Sequence, residues 1–166
     1  MTDKLTHAAS VLAHADDARR EANATLDEAR RSELGQFMTP APIAAFMASM
    51  FERGPKHICL LDAGAGVGSL TAAFVAEMSS RERRPAAIDA TAFEVEPAMT
   101  TRLHAVLKSC GETARRAGME FRGSVRDADF IATAVAELEH GLFEKARAPA
   151  FDAAILNPPY RKIHSS

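Results

Sequence analysis

Tryptophan is absent, tyrosine occurs once, and the two cysteines, Cys59 and Cys110, show no CxxC spacing. Neither a disulfide framework nor a zinc site is therefore expected. The six histidines are scattered and no pair has HExxH spacing, so no metal ion is expected either. No apolar stretch approaches the roughly 20 residues that cross a bilayer. The polar, Ala-rich segment from Met1 to His14 also lacks the apolar centre of a signal peptide. A cytoplasmic protein with no membrane attachment is the default expectation. Charge of one sign is lacking too. The formal net charge of −2 supplies no overall basic field, so any hold on a polynucleotide must be local or lie in another polypeptide segment.

What is present is a globular composition: 166 residues, 47% hydrophobic and 25% charged, enough for one domain with a real core. Small or apolar residues at positions 5, 8, 12, 15, 22, 26 and 29 recur in steps of three and four, interrupted at Arg19. That spacing predicts an amphipathic helix from Leu5 to Ala29 with a thin alanine seam. So thin a seam buries little area, and the helix is expected to lean on the main domain or a partner. Residues 1–33 read as an N-terminal helical extension and residues 34–166 as the main domain.

Next comes Gly35-Gln36-Phe37-Met38-Thr39-Pro40, followed by Pro42 and the apolar-periodic Ile43, Phe46, Met47, Met50 and Phe51. Thr39 suits an N-cap and the prolines suit a first helical turn. The helix start is either a place for a carboxylate or a helix start and nothing more. His57 to Leu61 is an apolar run read as a strand, delivering Asp62-Ala63-Gly64-Ala65-Gly66-Val67-Gly68 and then a helix with Leu70, Ala73, Phe74 and Met78 inward. A strand, a Gly-rich turn and a helix open a doubly wound α/β sheet. The glycines are spaced by two, unlike the dinucleotide fingerprint, and Asp62 would repel a pyrophosphate, so both features favour a cofactor with a cationic amine. A second strand, Ala90 to Phe93, ends at Glu94-Val95-Glu96, where one acid is placed to accept ribose hydroxyls; Glu94 is preferred and Glu96 is the alternative. After a third strand, Met119 to Gly123, Asp129 reads equally as a reader of the cofactor's adenine or as a plain N-cap. The basic turn Arg81–Arg84 reads as a solvated loop.

The last strand, Phe151 to Leu156, runs into Asn157-Pro158-Pro159-Tyr160. Each proline fixes its own φ and holds the preceding residue extended, so the strand ends in a stiff corner. That corner offers an amide side chain, a free carbonyl and an aromatic face. Two acceptors, Asn157 Oδ1 and the Pro158 carbonyl, suit the hydrogens of a planar exocyclic amine such as that of adenine, with Tyr160 stacking on the base. The bland reading is a Pro-Pro turn closing a strand.

Taken together, these stretches resemble the gamma-class N6-adenine DNA methyltransferases of restriction-modification systems. The resemblance covers about Leu34 to Tyr160, with G-Q-F-M-T-P, D-A-G-A-G-V-G, an acid after the second strand, Asp129-Phe130 and N-P-P-Y in the family's order. It implies a Rossmann-like fold and S-adenosylmethionine as cofactor. Phe37, Thr39, Asp62, Ala63, Gly64 and Gly66 would surround its methionine arm, Glu94 and Val95 its ribose and adenine, and Asp129 with Phe130 the adenine amino edge. Asn157, Pro158, Pro159 and Tyr160 would hold an adenine flipped out of double-stranded DNA. Only about four parallel strands are accounted for by Ser166, whereas the family's sheet continues into three more and then a target-recognition region. A bare outer edge on the fourth strand is therefore expected, with self-association or a partner chain covering it. The same corner could serve an RNA or protein-glutamine N-methyltransferase. A non-catalytic interaction subunit of the same fold is a further alternative, and an NAD dehydrogenase is disfavoured by the glycine spacing.

Overall fold

A computed structural model describes residues 2–25, 38–52, 54–140 and 150–158. Four strands, β1 (His57–Ala63), β2 (Ala87–Phe93), β3 (Glu120–Arg126) and β4 (Ala153–Ile155), form one sheet in the order β3-β2-β1-β4. Every strand pair is parallel. Five helices complete the described residues: α1 (Thr2–Thr25), α2 (Ala41–Ser49), α3 (Ser69–Ser80), α4 (Pro97–Arg116) and α5 (Phe130–His140). The arrangement is α/β and Rossmann-like, with a helix ahead of it. None of the described helices is long and apolar enough to cross a membrane.

The strand order positions everything that follows. From β1 to β2 to β3 the chain steps one way across the sheet; after α5 it returns to the opposite side of β1, where Asp62 pairs with Ile155. The carboxyl ends of β1 and β4 thus flank a topological switch point, the place where such sheets open a crevice for ligands.

Period-two alternation divides the strands between two environments. Ile58 and Leu60 of β1 and Ile88 and Ala90 of β2 enter the main core with residues of α1 to α4. Leu61, Ala63 and Phe93 join Phe130 and Phe151 in a small second cluster. Within the main core Phe74 of α3 is almost wholly buried and meets Phe51 edge-on at 4.9 Å. Arg81, in the turn read as solvated, is held by Glu77 and donates to the backbone carbonyls of Phe51 and Glu52.

Three sequence expectations shift. The buried seam of α1 is Ala8, Val11, Ala15, Ala18 and Ala22, with Leu12 half-buried beside it. Small residues let this helix approach α3 and α4 closely, so it shares the main core. In α2 the buried residues are Ala44 and Ala48, while Ile43, Phe46 and Met50 point outward. The small side chains make the closest approach, while Met47 and Phe51 of the expected set pack beside them on the core. The third strand runs on to Arg126, because the polar residues after Gly123 alternate with the half-buried Val125.

Candidate active site

The turn between β1 and α3 folds back on itself because three glycines take left-handed conformations: Gly64, Gly66 and Gly68, at φ 80°, 58° and 89°. The amides of Gly64 and Ala65 both donate to the carbonyl of Phe93, tying the turn to the end of β2. A Cβ at Gly64 would meet nothing within 4 Å. The backbone there borders open space, a cradle that a side chain would fill.

That space is a cavity of about 380 Å³ at the carboxyl ends of β1, β2 and β4. It collects residues from five separate stretches of the chain: Thr39; Ala63, Gly64 and Gly66; Glu94 and Val95; Asp129 and Phe130; Asn157 and Pro158. The glycine turn and the proline corner therefore open onto one hollow, although nearly a hundred residues separate them in sequence. Phe37, Pro159 and Tyr160 lie outside the described residues.

Glu94 is buried, and its carboxylate organises the floor. Oε2 accepts from Gly66 N–H at 2.7 Å, and Oε1 accepts from Val95 N–H at 2.9 Å and Glu96 N–H at 2.8 Å. With about two lone-pair sites per oxygen, Oε1 is saturated and Oε2 has room for one more donor. Glu94 can thus receive one ligand hydroxyl directly; accepting two requires an amide to let go. Glu96 caps α4 instead, accepting from Ala98 N–H. Asp129 lines the cavity, and its Oδ1 accepts from Ala132 N–H at 2.9 Å as the cap of α5, as the N-cap reading expected. Phe130 is fixed edge-on against Phe93, with centroids 5.2 Å apart.

Asp62 is placed differently from the expectation. Alternation along β1 turns it into the helical layer, where it is wholly buried and absent from the cavity wall. Its Oδ2 accepts from Thr71 Oγ1 at 2.6 Å, and Oδ1 has no hydrogen-bond partner among the described residues. Burial pushes its carboxyl up to about 6, opposed by the Thr71 hydroxyl and amide and reinforced by the charge of Glu94. The folded chain therefore holds a proton on Asp62 in a range where the unfolded chain has released it. Stability from this group is full below about pH 4 and is lost as pH rises through about 6, by roughly 3 kcal/mol. We expect the stability of Asp62→Asn relative to the original chain to grow by that amount between pH 4 and 7 in urea melts. A difference independent of pH would show that Asp62 titrates alike in the folded and unfolded chain.

The start of α2 also departs from the expectation. Pro40, not Thr39, is the cap residue, Ala41 N–H points to Asp16 Oδ1 of α1 at 3.4 Å, Pro42 has no N–H, and Ile43 N–H returns to the Pro40 carbonyl. No amide is left there for a ligand carboxylate. Thr39 serves the cavity through its side chain, since Asn157 Nδ2 donates to Thr39 Oγ1 at 3.2 Å. The corner after β4 is thereby braced against the segment before α2.

Sequence reading missed the apolar wall of Met38, Met99, Ile131 and Leu156, and the polar Ser69. Only Ser69 carried a signal, a hydroxyl directly after the last glycine of the turn.

Two curated proteins match this chain. "Type II methyltransferase M.PstI" of Providencia stuartii is 40% identical over 148 residues, covering 89% of this chain and 28% of the relative. "Type II methyltransferase M.BsuBI" of Bacillus subtilis is 36% identical over 159 residues, covering 94% of this chain and 30% of the relative. The chain is a homologue of type II methyltransferases. It spans under a third of the length of these two methyltransferases. No protein-family model matches the chain, and no solved structure does.

Proposed function

We propose that this chain binds S-adenosylmethionine in the cavity at the switch point and carries the methyl-transferring part of an N6-adenine DNA methyltransferase of a restriction-modification system. The observation that carries the reading is the shared hollow: the glycine turn and Asn157-Pro158 line the same 380 Å³ space. One carbon can pass between two guests only if both sit in one enclosure.

When bound, the cofactor supplies an electrophilic methyl group on a sulfonium. The chain's own residues do the rest by position. The glycine turn admits the ligand against the backbone, Oε2 of Glu94 receives a ribose hydroxyl, and Phe130 and Val95 flank the adenine. At the far side Asn157 Oδ1 and the Pro158 carbonyl accept the two hydrogens of the target amine. They draw its nitrogen toward tetrahedral geometry, so that its lone pair faces the methyl carbon. With the cofactor held there, the N–C bond would form as the C–S bond breaks, and the surplus proton on nitrogen would leave to water. No covalent bond to the protein is required, and the contribution is positioning plus electrostatics. Double-stranded DNA is the substrate under this reading, with the adenine turned out of the stack.

Calorimetric titration of the chain tests the first half. We expect saturable binding of S-adenosylmethionine and a rise in melting temperature, as for any ligand that binds the folded state alone. No heat and no stabilisation at millimolar cofactor would sink the proposal.

One observation favours a second reading, an interaction subunit of the same fold. Ile131, Val135 and Leu138 form an exposed apolar stripe on α5, and β4 is the outermost strand among the described residues. Both readings share the cofactor cavity, and they part on whether methyl groups reach DNA.

A further inference from the structure

Thr39 and Asn157 stand 118 positions apart and meet at the cavity wall, where Asn157 Nδ2 donates to Thr39 Oγ1 at 3.2 Å. Each precedes a proline, Pro40 or Pro158, which holds its backbone extended. The two side chains are not equally firm. Thr39 is buried and β-branched, hence stiff about χ1. Asn157 is half-buried and lies two residues past Ile155, where the ladder between β4 and β1 ends. The last torsion of an asparagine is also broad. A stiff hydroxyl thus holds a softer amide.

Which way that amide is turned decides what it can bind. It carries a donor arm and an acceptor arm. An exocyclic amine needs acceptors for its hydrogens, and a donor arm facing it would set hydrogen against hydrogen. Next to Asn157 the backbone adds only an acceptor, because Pro158 has a carbonyl and no N–H. A hydroxyl is able to donate or to accept. That of Thr39 accepts, and so takes up the donor arm.

We infer that Thr39 is a positioning residue for the methyl acceptor: its bond to Asn157 Nδ2 fixes the amide with Oδ1 presented to the target amine. This inference rests on the methyl-transfer reading of the corner. It gives Thr39 a part on the acceptor's side of the hollow, whereas the family resemblance set it beside the cofactor's methionine arm. The two roles make different forecasts.

The test is single-turnover transfer of a tritiated methyl group to unmethylated DNA by the polypeptide that carries this chain, with calorimetry of S-adenosylmethionine binding on each variant. Thr39→Val keeps the shape and removes the hydroxyl. We expect it to slow transfer about tenfold: a 1 Å misplacement can cost about 10²-fold, and an amide released to turn, not driven out of place, should cost less. Thr39→Ala, which also lacks the hydroxyl, should do the same, and Thr39→Ser should recover most of the loss. Cofactor affinity should stay within twofold throughout. Adding Thr39→Val to Asn157→Ala should change the rate less than twofold, because the side chain through which Thr39 acts is gone. A merely structural defect would slow transfer in both backgrounds alike. That outcome, a parallel loss of cofactor affinity, or unchanged transfer in Thr39→Val and Thr39→Ala would overturn the inference and leave the methyl-transfer reading standing. An Asn157→Ala rate within tenfold of the original would remove the corner from the reaction and overturn both.

Discussion

Asn157→Ala is expected to lower the rate of methyl transfer by about 10²–10³-fold while leaving cofactor affinity within twofold. The rate figure is that for removing one preorganised polar contact to the charge that develops in a transition state. The side chain is half-buried and its amide nitrogen donates to Thr39 Oγ1 at 3.2 Å, so folding should lose about 1 kcal/mol. Affinity should hold because the proposed reading puts the cofactor against the glycine turn after β1, whereas Asn157 follows β4. The measurement is single-turnover transfer of a tritiated methyl group to DNA by the polypeptide that carries this chain, paired with calorimetry of the same variant. A fall of less than tenfold in transfer would remove Asn157 from the reacting centre. A parallel fall in affinity would move it to the cofactor's side.

The second large effect is on folding, and two glycines of one turn give opposite forecasts. Both take left-handed backbone angles, so alanine at either costs about 1–2 kcal/mol in strain. At Gly68 the new Cβ would also sit 2.9 Å from Leu103 Cδ1 and 3.2 Å from Val106 Cγ1 of α4. Overpacking of that kind costs a further 1–3 kcal/mol or so, for a total of about 2–5. A domain stable by about 5–15 kcal/mol loses much of its margin to such a change. At Gly64 the Cβ meets nothing, so Gly64→Ala should cost strain alone, and its methyl group should obstruct the ligand. Urea unfolding of the two variants should rank Gly68→Ala well below Gly64→Ala, and calorimetry should find the weaker binding in Gly64→Ala. Equal losses in stability would show that α4 yields to the intruding carbon.

How much of this was legible in the sequence follows from what each signal encodes. The glycine turn, the acid after β2 and the proline corner are local backbone events, and their residues line the cavity as position alone suggested. The Rossmann-like sheet followed from the same alternation of strands and helices. What sequence did not disclose were directions. The apolar period in α2 is real, but Ile43 and Phe46 face out while Ala44 and Ala48, with the half-buried Met47, meet the core. Asp62 stands at the end of a strand as expected, yet the parity of β1 turns it under the turn, onto Thr71. The occupation of the α2 start by Asp16, 25 residues away, is a tertiary contact that no window of sequence contains.

The pairing of β1 with β4 has a kinetic consequence. Asp152 Oδ2 accepts from Cys59 N–H at 2.8 Å, and Asp152 N–H donates to the Cys59 carbonyl, a clasp across 93 positions of chain. The neighbours β1, β2 and β3, each joined by a single helix, close much shorter loops. Entropy therefore lets that trio zip early and defers the fourth strand. The hollow is therefore expected to acquire its second wall late in folding, and a half-folded chain to carry the glycine turn without the proline corner opposite it.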